Sequence, residues 1–331
     1  MSYHILHLLS SNLRVRIEHD QLRIVDDAKA VERSVPLADV AVIVAASQNI
    51  SLTAAAIRRM AELNVLLLVC DEKFRPCALT VPYYNATSTS LLRSQISWTQ
   101  PWKAQMWSQV IASKIKNQAA NLDHNRRARL LLEEIAKRCL ENPTEEGESP
   151  RPSLDKLTPA ARKGLHSSGA SASESRAARL YWRFLLPRLA SWLRTEERSR
   201  LPGTREGVNG MLDYGYAIVR TAVLRSLAAH GFIAAIGIAH LPKAGGHALA
   251  DDLVEPLRPW IDRELREFLR GGPRPMTEWM REVVQVLQTE VAMGRNKIRM
   301  LNAIDLYIQS FANAALAGTP LPLRFPMLPS P

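Results

Sequence analysis

The pattern of apolar and polar positions divides the chain into a strand-rich first part and a helical second part. The apolar runs at 40–47 and 64–71 are continuous, which is typical of strands buried on both faces. Residues 13–25 alternate around a polar break and predict a hairpin, whereas 51–63 carries apolar residues at helical spacing. The predicted strands cover 3–9, 13–25, 40–47, 64–71 and 77–84.

Helical periodicity dominates from residue 91 onward. The segment 141–171 interrupts it, is rich in Pro, Gly, Ser and Glu, and predicts a flexible excursion. The last segment, 317–331, contains five prolines and is expected to be extended. The predicted helices cover 102–122, 126–140, 174–194, 206–230, 252–270, 275–292 and 294–316.

These elements predict an α+β fold in which a small strand-rich domain precedes a larger all-helical domain. The strand-rich domain is expected at 1–88 and the helical domain at 91–316, with the flexible excursion inside it. The proline-rich tail at 317–331 follows.

Charge narrows the choice of partners. The net charge is +11 and the isoelectric point is near 9.9, which favours a polyanion and above all nucleic acid. The three cysteines are too few and too scattered for a disulfide framework or a paired-cysteine metal site. No apolar run approaches the ~20 residues of a membrane span, and the first residues lack the features of a signal peptide. We therefore expect a reduced, cytoplasmic protein without contact to a membrane.

Three residues at transitions between elements carry the candidate chemistry: Glu174, His240 and Asp252. Singly, each has an ordinary structural use, because acidic residues favour the first turns of helices. Together, two carboxylates and an imidazole suit a divalent ion for phosphodiester chemistry. Nearby cations suited to holding phosphates are Arg176, Arg179, Lys243 and Arg258.

Several motifs resemble those of the CRISPR-associated integrase family, Cas1. They are VNGMLDYGY at 208–216, GIAH at 237–240, LADDLVEPLRP at 249–259, ESRAARLYW at 174–182 and KIKNQ at 114–118. The resemblance covers about residues 1–310, and the sequences of the motifs are most similar to those of members from type II systems. The joint pattern is far more specific than any one motif.

The resemblance implies a metal-dependent DNA endonuclease and integrase. In such enzymes the 3′-hydroxyl of a short DNA fragment attacks a phosphodiester at the edge of a CRISPR repeat, a transesterification that inserts the fragment into the array. Glu174, His240 and Asp252 would bind Mg²⁺ or Mn²⁺. Asp252 matches the Asp of the D-L-x-E motif, with Asp251 as the alternative ligand. His240 has a competing role as a general acid or base.

The resemblance also implies partners. The family binds double-stranded DNA and forms homodimers, two of which flank a dimer of a small partner, Cas2. Two other functions remain compatible with the residues alone. One is a stand-alone metal-dependent nuclease for branched DNA, and the other is a non-catalytic DNA-binding scaffold, in which the three candidate residues would lie far apart.

Overall fold

A computed structural model confirms the predicted α+β fold, with a strand-rich first part followed by a helical second part. Most of the predicted excursion, residues 144–168, lies outside the described residues, as does Lys243. The structure describes residues 4–8, 10, 12–27, 29–47, 49–70, 76–80, 89–141, 143, 169–204, 206–240, 246–294 and 296–329.

The elements of the described residues are numbered here in chain order. The strands are β1 His4–Leu8, β2 Leu13–Glu18, β3 Gln21–Asp26, β4 Val31–Pro36, β5 Val40–Ala45, β6 Ile50–Leu52, β7 Leu66–Cys70, β8 Pro76–Thr80, β9 Glu290–Met293 and β10 Asn296–Arg299. The α-helices are α1 Ala54–Glu62, α2 Thr89–Ser97, α3 Gln100–Asn121, α4 Arg126–Glu141, α5 Gly169–Leu193, α6 Gly207–Ala229, α7 Ala248–Leu253, α8 Arg258–Leu269, α9 Met276–Glu282 and α10 Met300–Ala317. Short 3₁₀ helices span Leu37–Asp39, Glu255–Leu257 and Val283–Gln288.

Two four-stranded sheets form the first part. One has the order β1-β5-β7-β8, with parallel pairs except for the antiparallel β7–β8 pair. The other has the order β4-β3-β2-β6 and contains the predicted β2–β3 hairpin. His19 and Asp20 form its two-residue turn, and both have positive φ angles, 51° and 59°, as the twist of a tight hairpin requires.

The continuous apolar runs occur because β5 and β7 are covered on both faces. Successive strand residues point to opposite sides. On β5, Val42 and Val44 join the core shared with the helices, whereas Ile43 joins a second core between the two sheets. On β7, Leu66 packs in the core shared with the helices, and Leu67 packs in the core between the two sheets. The first sheet is therefore packed directly against the helical part.

The helical part is built around α3 and α6, which are buried on nearly every side. Close packing of α6 depends on Gly215, because a Cβ there would lie 2.4 Å from Cγ2 of Ile261 on α8. Of the helices in the described ranges, none combines the length and apolar character that crossing a membrane demands.

The structure corrects one prediction within the helical part. Helices were expected over 275–292 and 294–316, but Glu290–Met293 and Asn296–Arg299 are the antiparallel strands β9 and β10. Gly294, at the turn, has a φ of 64°, which permits the reversal. Helical structure resumes only at Met300.

A buried polar network joins α5, α6 and α8. Asp262 on α8 accepts hydrogen bonds from the hydroxyls of Tyr181, at 2.7 Å, and Tyr216, at 2.5 Å. Burial raises the pKa of Asp262 to about 6, against the lowering effect of the two tyrosine hydrogen bonds. The folded state therefore favours the protonated carboxyl more than the unfolded chain does.

This raised pKa predicts a pH-dependent stability. As pH rises from about 4 to about 6, the unfolded chain has already lost the Asp262 proton and the folded protein has not, so the free energy of unfolding falls by about 3 kcal/mol from this group. Asp262→Asn should remove that contribution. Urea unfolding of both proteins across this pH range measures it, and equal pH slopes for the two would contradict it.

Candidate functional site

Asp252 closes the loop that carries His240. Its side chain is 0% exposed, and its Oδ2 accepts the backbone N–H groups of Ile238, at 2.6 Å, and Ala239, at 3.0 Å. Its Oδ1 accepts the N–H of His240 at 3.0 Å. Gly237 permits this approach, because a Cβ there would lie 2.6 Å from Oδ2. The local sequence thus folds the loop around one carboxylate.

The same carboxylate orients the imidazole of His240. Nδ1 lies 2.5 Å from Oδ1 of Asp252, and because a carboxylate only accepts, Nδ1–H donates. Nε2 is then the ring nitrogen suited to bind a ligand. The hydrogen bond to Asp252 raises the pKa of His240 above its ordinary value, although burial lowers it. The ring packs edge-on against Trp107 of α3, with 5.9 Å between centroids.

Lys114 of α3 connects two glutamates from different parts of the chain. Its Nζ lies 2.5 Å from Oε1 of Glu174 on α5 and 2.5 Å from Oε2 of Glu255, which follows α7. Burial would lower the pKa of Lys114, but Glu255 and Glu174 raise it above its ordinary value. Lys114 is therefore a buried counterion for both glutamates.

Glu255 is the acidic residue that the sequence interpretation did not choose. Its side chain is 4% exposed, and Oε1 lies 3.0 Å from Arg258. Burial would raise its pKa, but Arg258 and Lys114 hold that pKa below the ordinary value. Oε2 is buried as well, and among the described residues its contact is the ion pair with the Lys114 ammonium. Beyond its ion pair with Lys114, this oxygen has capacity for a cation.

The three predicted residues are brought together only in part. His240 contacts Asp252 directly, whereas Glu174 is tied through Lys114 to Glu255. Asp251, the alternative ligand, pairs instead with Arg220 of α6 at 2.5 Å. In the portions of the chain that the structure covers, no three His, Cys, Asp or Glu side chains already form a set that holds a metal.

The donor chemistry at this place nevertheless fits a divalent ion. Glu174 and Glu255 both reach one cationic atom, the Nζ of Lys114. His240 adds a ring nitrogen, and after the hydrogen bond to Asp252 the charges of Glu255 and Glu174 also raise its pKa. The signal in the sequence was present, since Glu255 lies one helical turn after Asp252 in the same motif.

A cavity of about 410 Å³, lined by four arginines, lies between α4 and α5. Arg176, Arg179 and Arg183 line it from α5, spaced three and four residues apart on one face. Arg138 of α4 lines the opposite side. Arg176 lies two residues after Glu174 on α5, and this spacing places the two side chains on different faces of the helix.

Solved structures share this architecture, and a relative is similar to the chain in sequence. CRISPR-associated endonuclease Cas1 of Neisseria meningitidis serogroup C (strain 8013) is 27% identical over 314 residues, which cover 92% of this chain and 90% of that one. A casposase bound to integration product has a TM-score of 0.75 at 16% identity, over 97% of this chain and 92% of that chain. A Cas6-RT-Cas1–Cas2 complex has a TM-score of 0.69 at 16% identity, over 96% of this chain and 35% of that chain. At these identities the two structures show a common fold.

A match to a protein-family model shows the family to which the sequence belongs. The model described as CRISPR associated protein Cas1 matches residues 6–275. This range is well over half of the chain and includes both sheets of the first part, except for the first two residues of β1, together with Glu174, His240 and Glu255. The chain belongs to the CRISPR-associated Cas1 family.

Proposed function

We propose that this protein is a metal-dependent DNA endonuclease and integrase that inserts short DNA fragments into a CRISPR array. The observation that carries the proposal is the convergence of Glu174 and Glu255 on one cationic position, beside an imidazole that Asp252 orients. Family membership directs this chemistry to DNA. The reaction would be attack of a fragment's 3′-hydroxyl on a phosphodiester, with the broken strand's oxygen as the leaving group.

The geometry supports Glu174, Glu255 and Nε2 of His240 as the side-chain ligands of the ion. Asp252, expected from the sequence as the third ligand, has a different role in this proposal. A carboxylate offers about four acceptor positions, and Asp252 uses them for three backbone N–H groups and the imidazole. Asp252 therefore positions His240 rather than binding the ion itself.

Mg²⁺ or Mn²⁺ bound there would polarise the scissile phosphate and stabilise charge on the attacking and leaving oxygens. Two carboxylates suit either ion, and the imidazole makes Mn²⁺ as suitable as Mg²⁺. The protein's own cations share the work. Arg258 and Lys114 limit the repulsion between Glu174 and the buried Glu255, and they hold the pKa of Glu255 below its ordinary value, which keeps that carboxylate able to bind a cation.

The arginine-lined cavity supports a contact surface for DNA on α4 and α5. Arg176, Arg179 and Arg183 present guanidinium groups that match the geometry of phosphate oxygens. The net charge of +11 favours binding to the DNA backbone without reading its sequence. This arrangement favours a catalytic protein over a scaffold, for which the candidate residues need not approach one another.

The proposed partners are double-stranded DNA and Cas2. The casposase and the Cas1–Cas2 complex with this fold support integration in that setting. We also propose that the chain acts in the cytoplasm as a homodimer joined through the strand-rich domain at 1–88, and that two homodimers flank a Cas2 dimer. The helical domain at 91–316 would then hold the catalytic site.

A joining assay tests the proposed function. Protein, Cas2, a labelled fragment with 3′-hydroxyl ends and a plasmid with a repeat array are combined with Mg²⁺ or Mn²⁺. We expect joined products that disappear with EDTA and with Glu174→Gln. Metal-dependent cutting of branched DNA without joining would favour a stand-alone nuclease, and tight DNA binding without either activity would favour a scaffold.

The different roles of Asp252 and Glu174 predict different effects on stability. Asp252→Ala leaves three backbone N–H groups without an acceptor and should lower the free energy of unfolding by about 3 kcal/mol or more. Glu174→Gln keeps a polar partner for Lys114, whose charge Glu255 still balances, so it should lower the free energy of unfolding by less than Asp252→Ala does while abolishing joining. Urea unfolding measures both. An undiminished free energy of unfolding in Asp252→Ala would refute the positioning role.

The arginine row predicts a change in DNA affinity. Replacing Arg176, Arg179 and Arg183 with Ala should weaken binding of duplex DNA about equally for all sequences. The slope of log affinity against log salt should become shallower by about 2–3. Fluorescence anisotropy across a salt series measures this slope.

The matched control replaces three arginines of the strand-rich part, Arg14, Arg33 and Arg58, and so removes the same charge. This control should leave the salt slope nearly unchanged. A similar loss of slope in both triple variants would show that net charge, and not the cavity between α4 and α5, determines DNA binding.

A further inference from the structure

Three polar residues of α3 hold the segment 318–329, named here the C-terminal strap. Gln109, Ser113 and Asn117 recur every four residues and so share one face of the helix. The contacts of the first two are Gln109 Nε2 to the carbonyl of Leu321 (3.2 Å), the N–H of Leu323 to Gln109 Oε1 (2.9 Å) and Ser113 Oγ to Met327 Sδ (3.5 Å). The strap therefore runs along α3 in the direction of the helix.

Asn117 is the point where the strap meets the candidate site. It is 0% exposed, and its Nδ2 donates to two carbonyls, those of Pro256 at 2.9 Å and Pro326 at 3.2 Å. Its Oδ1 accepts the N–H of Leu328 at 2.9 Å. Pro256 directly follows Glu255, so one amide side chain joins the strap to the turn that carries this carboxylate.

The strap also contacts α8, on the other side of that turn. On α8, Trp260 Nε1 donates to the same Pro326 carbonyl at 3.3 Å, and Leu328 is buried in the core shared by the helices. The strap thus lies between α3 and α8, the two helices that flank Glu255. Its removal would leave buried polar groups of both helices without partners.

The neighbouring positions of α3 link this junction to the second glutamate. Lys114, one turn before Asn117, contacts both Glu174 and Glu255. Asn121, one turn after it, donates to the carbonyl of Pro259 at 2.7 Å and to the hydroxyl of Tyr181 on α5 at 3.0 Å. This face of α3 therefore fixes the turn at 255–259 relative to the helix that carries Glu174.

We propose that Asn117 is a positioning residue for Glu255 and that it acts by coupling the C-terminal strap to the 255–257 turn. This role accounts for the KIKNQ motif at 114–118, in which the Lys contacts the carboxylates and the Asn holds the backbone beside one of them. The inference rests on the proposed function, because Glu255 is taken there as a ligand. Loss of an outer partner of a metal ligand typically costs 10–100-fold in metal affinity or activity.

Two variants test the coupling. One is Asn117→Ala, and the other is a chain that stops after Thr319 and so lacks all but the first two residues of the strap. In each, the Mn²⁺ concentration for half-maximal DNA cleavage should rise by about 10-fold, whereas KM for DNA should stay unchanged. Combining the two changes should give little more than either alone, because both break the same link. Gln109→Ala, which loosens the strap at its far end, is the matched control and should keep the metal dependence of the wild type.

Hydrogen exchange over residues 254–262 supplies a readout that needs no activity. Exchange there should be faster in Asn117→Ala and in the shortened chain, and unchanged in Gln109→Ala. Variants that lose stability but retain wild-type exchange over 254–262 and wild-type metal dependence would overturn the proposal. Absence of metal-dependent activity in the wild type would instead refute the proposed function, and the exchange data would still decide whether the strap supports this turn.

Discussion

The ammonium of Lys114, held between Glu174 and Glu255, is the interaction on which the organisation of the helical part depends. A buried ammonium is costly unless its charge is compensated, and the buried carboxylate of Glu255 is costly for the same reason. Lys114 and Glu255 therefore require each other at this place, and the partly exposed Glu174 adds a second negative charge. The requirement draws α3, α5 and the turn after α7 to one point, and α3 has to run through the centre of the helices to reach it.

The acidic groups around that point divide their work according to burial and hydrogen bonding. The carboxylate of Asp252 accepts three backbone N–H groups of the loop that it closes, and it also fixes the orientation of the His240 ring through a hydrogen bond. Glu255 is nearly as buried, but the partners of its carboxylate among the described residues are the charged side chains of Lys114 and Arg258. Asp252 and Glu255 are only three residues apart, so the sequence does not reveal this difference. It arises because three backbone N–H groups converge on Asp252, whereas Glu255 contacts charged side chains.

Much of the fold could be predicted because its signals are local. The runs around Val42 and Leu66 are apolar throughout since both faces of their strands are covered, and the β2–β3 hairpin follows from alternation. The hairpin at 290–299 was missed because its four-residue strands are too short to establish a period and are continuous with helical patterns on both sides.

The site was predictable in its chemistry but not in its assignment of roles. Motif resemblance identified Glu174, His240 and Asp252, and the structure places His240 against Asp252. Whether a carboxylate is free to bind an ion depends on donors from distant segments. A lysine on a helix is ordinarily expected at the surface, so the burial of Lys114 became apparent only when two glutamates from elsewhere were seen to meet it.

The central claim is that Glu174, His240 and Glu255 bind the ion while Asp252 holds the imidazole. Crystals of the protein soaked with Mn²⁺, and measured at a wavelength where manganese scatters anomalously, test it most directly. The account predicts one anomalous peak in contact with both glutamates and with Nε2 of His240, and with Asp252 still bonded to the backbone of residues 238–240. A peak bonded to a carboxylate oxygen of Asp252, with Glu255 outside the coordination sphere, would contradict it.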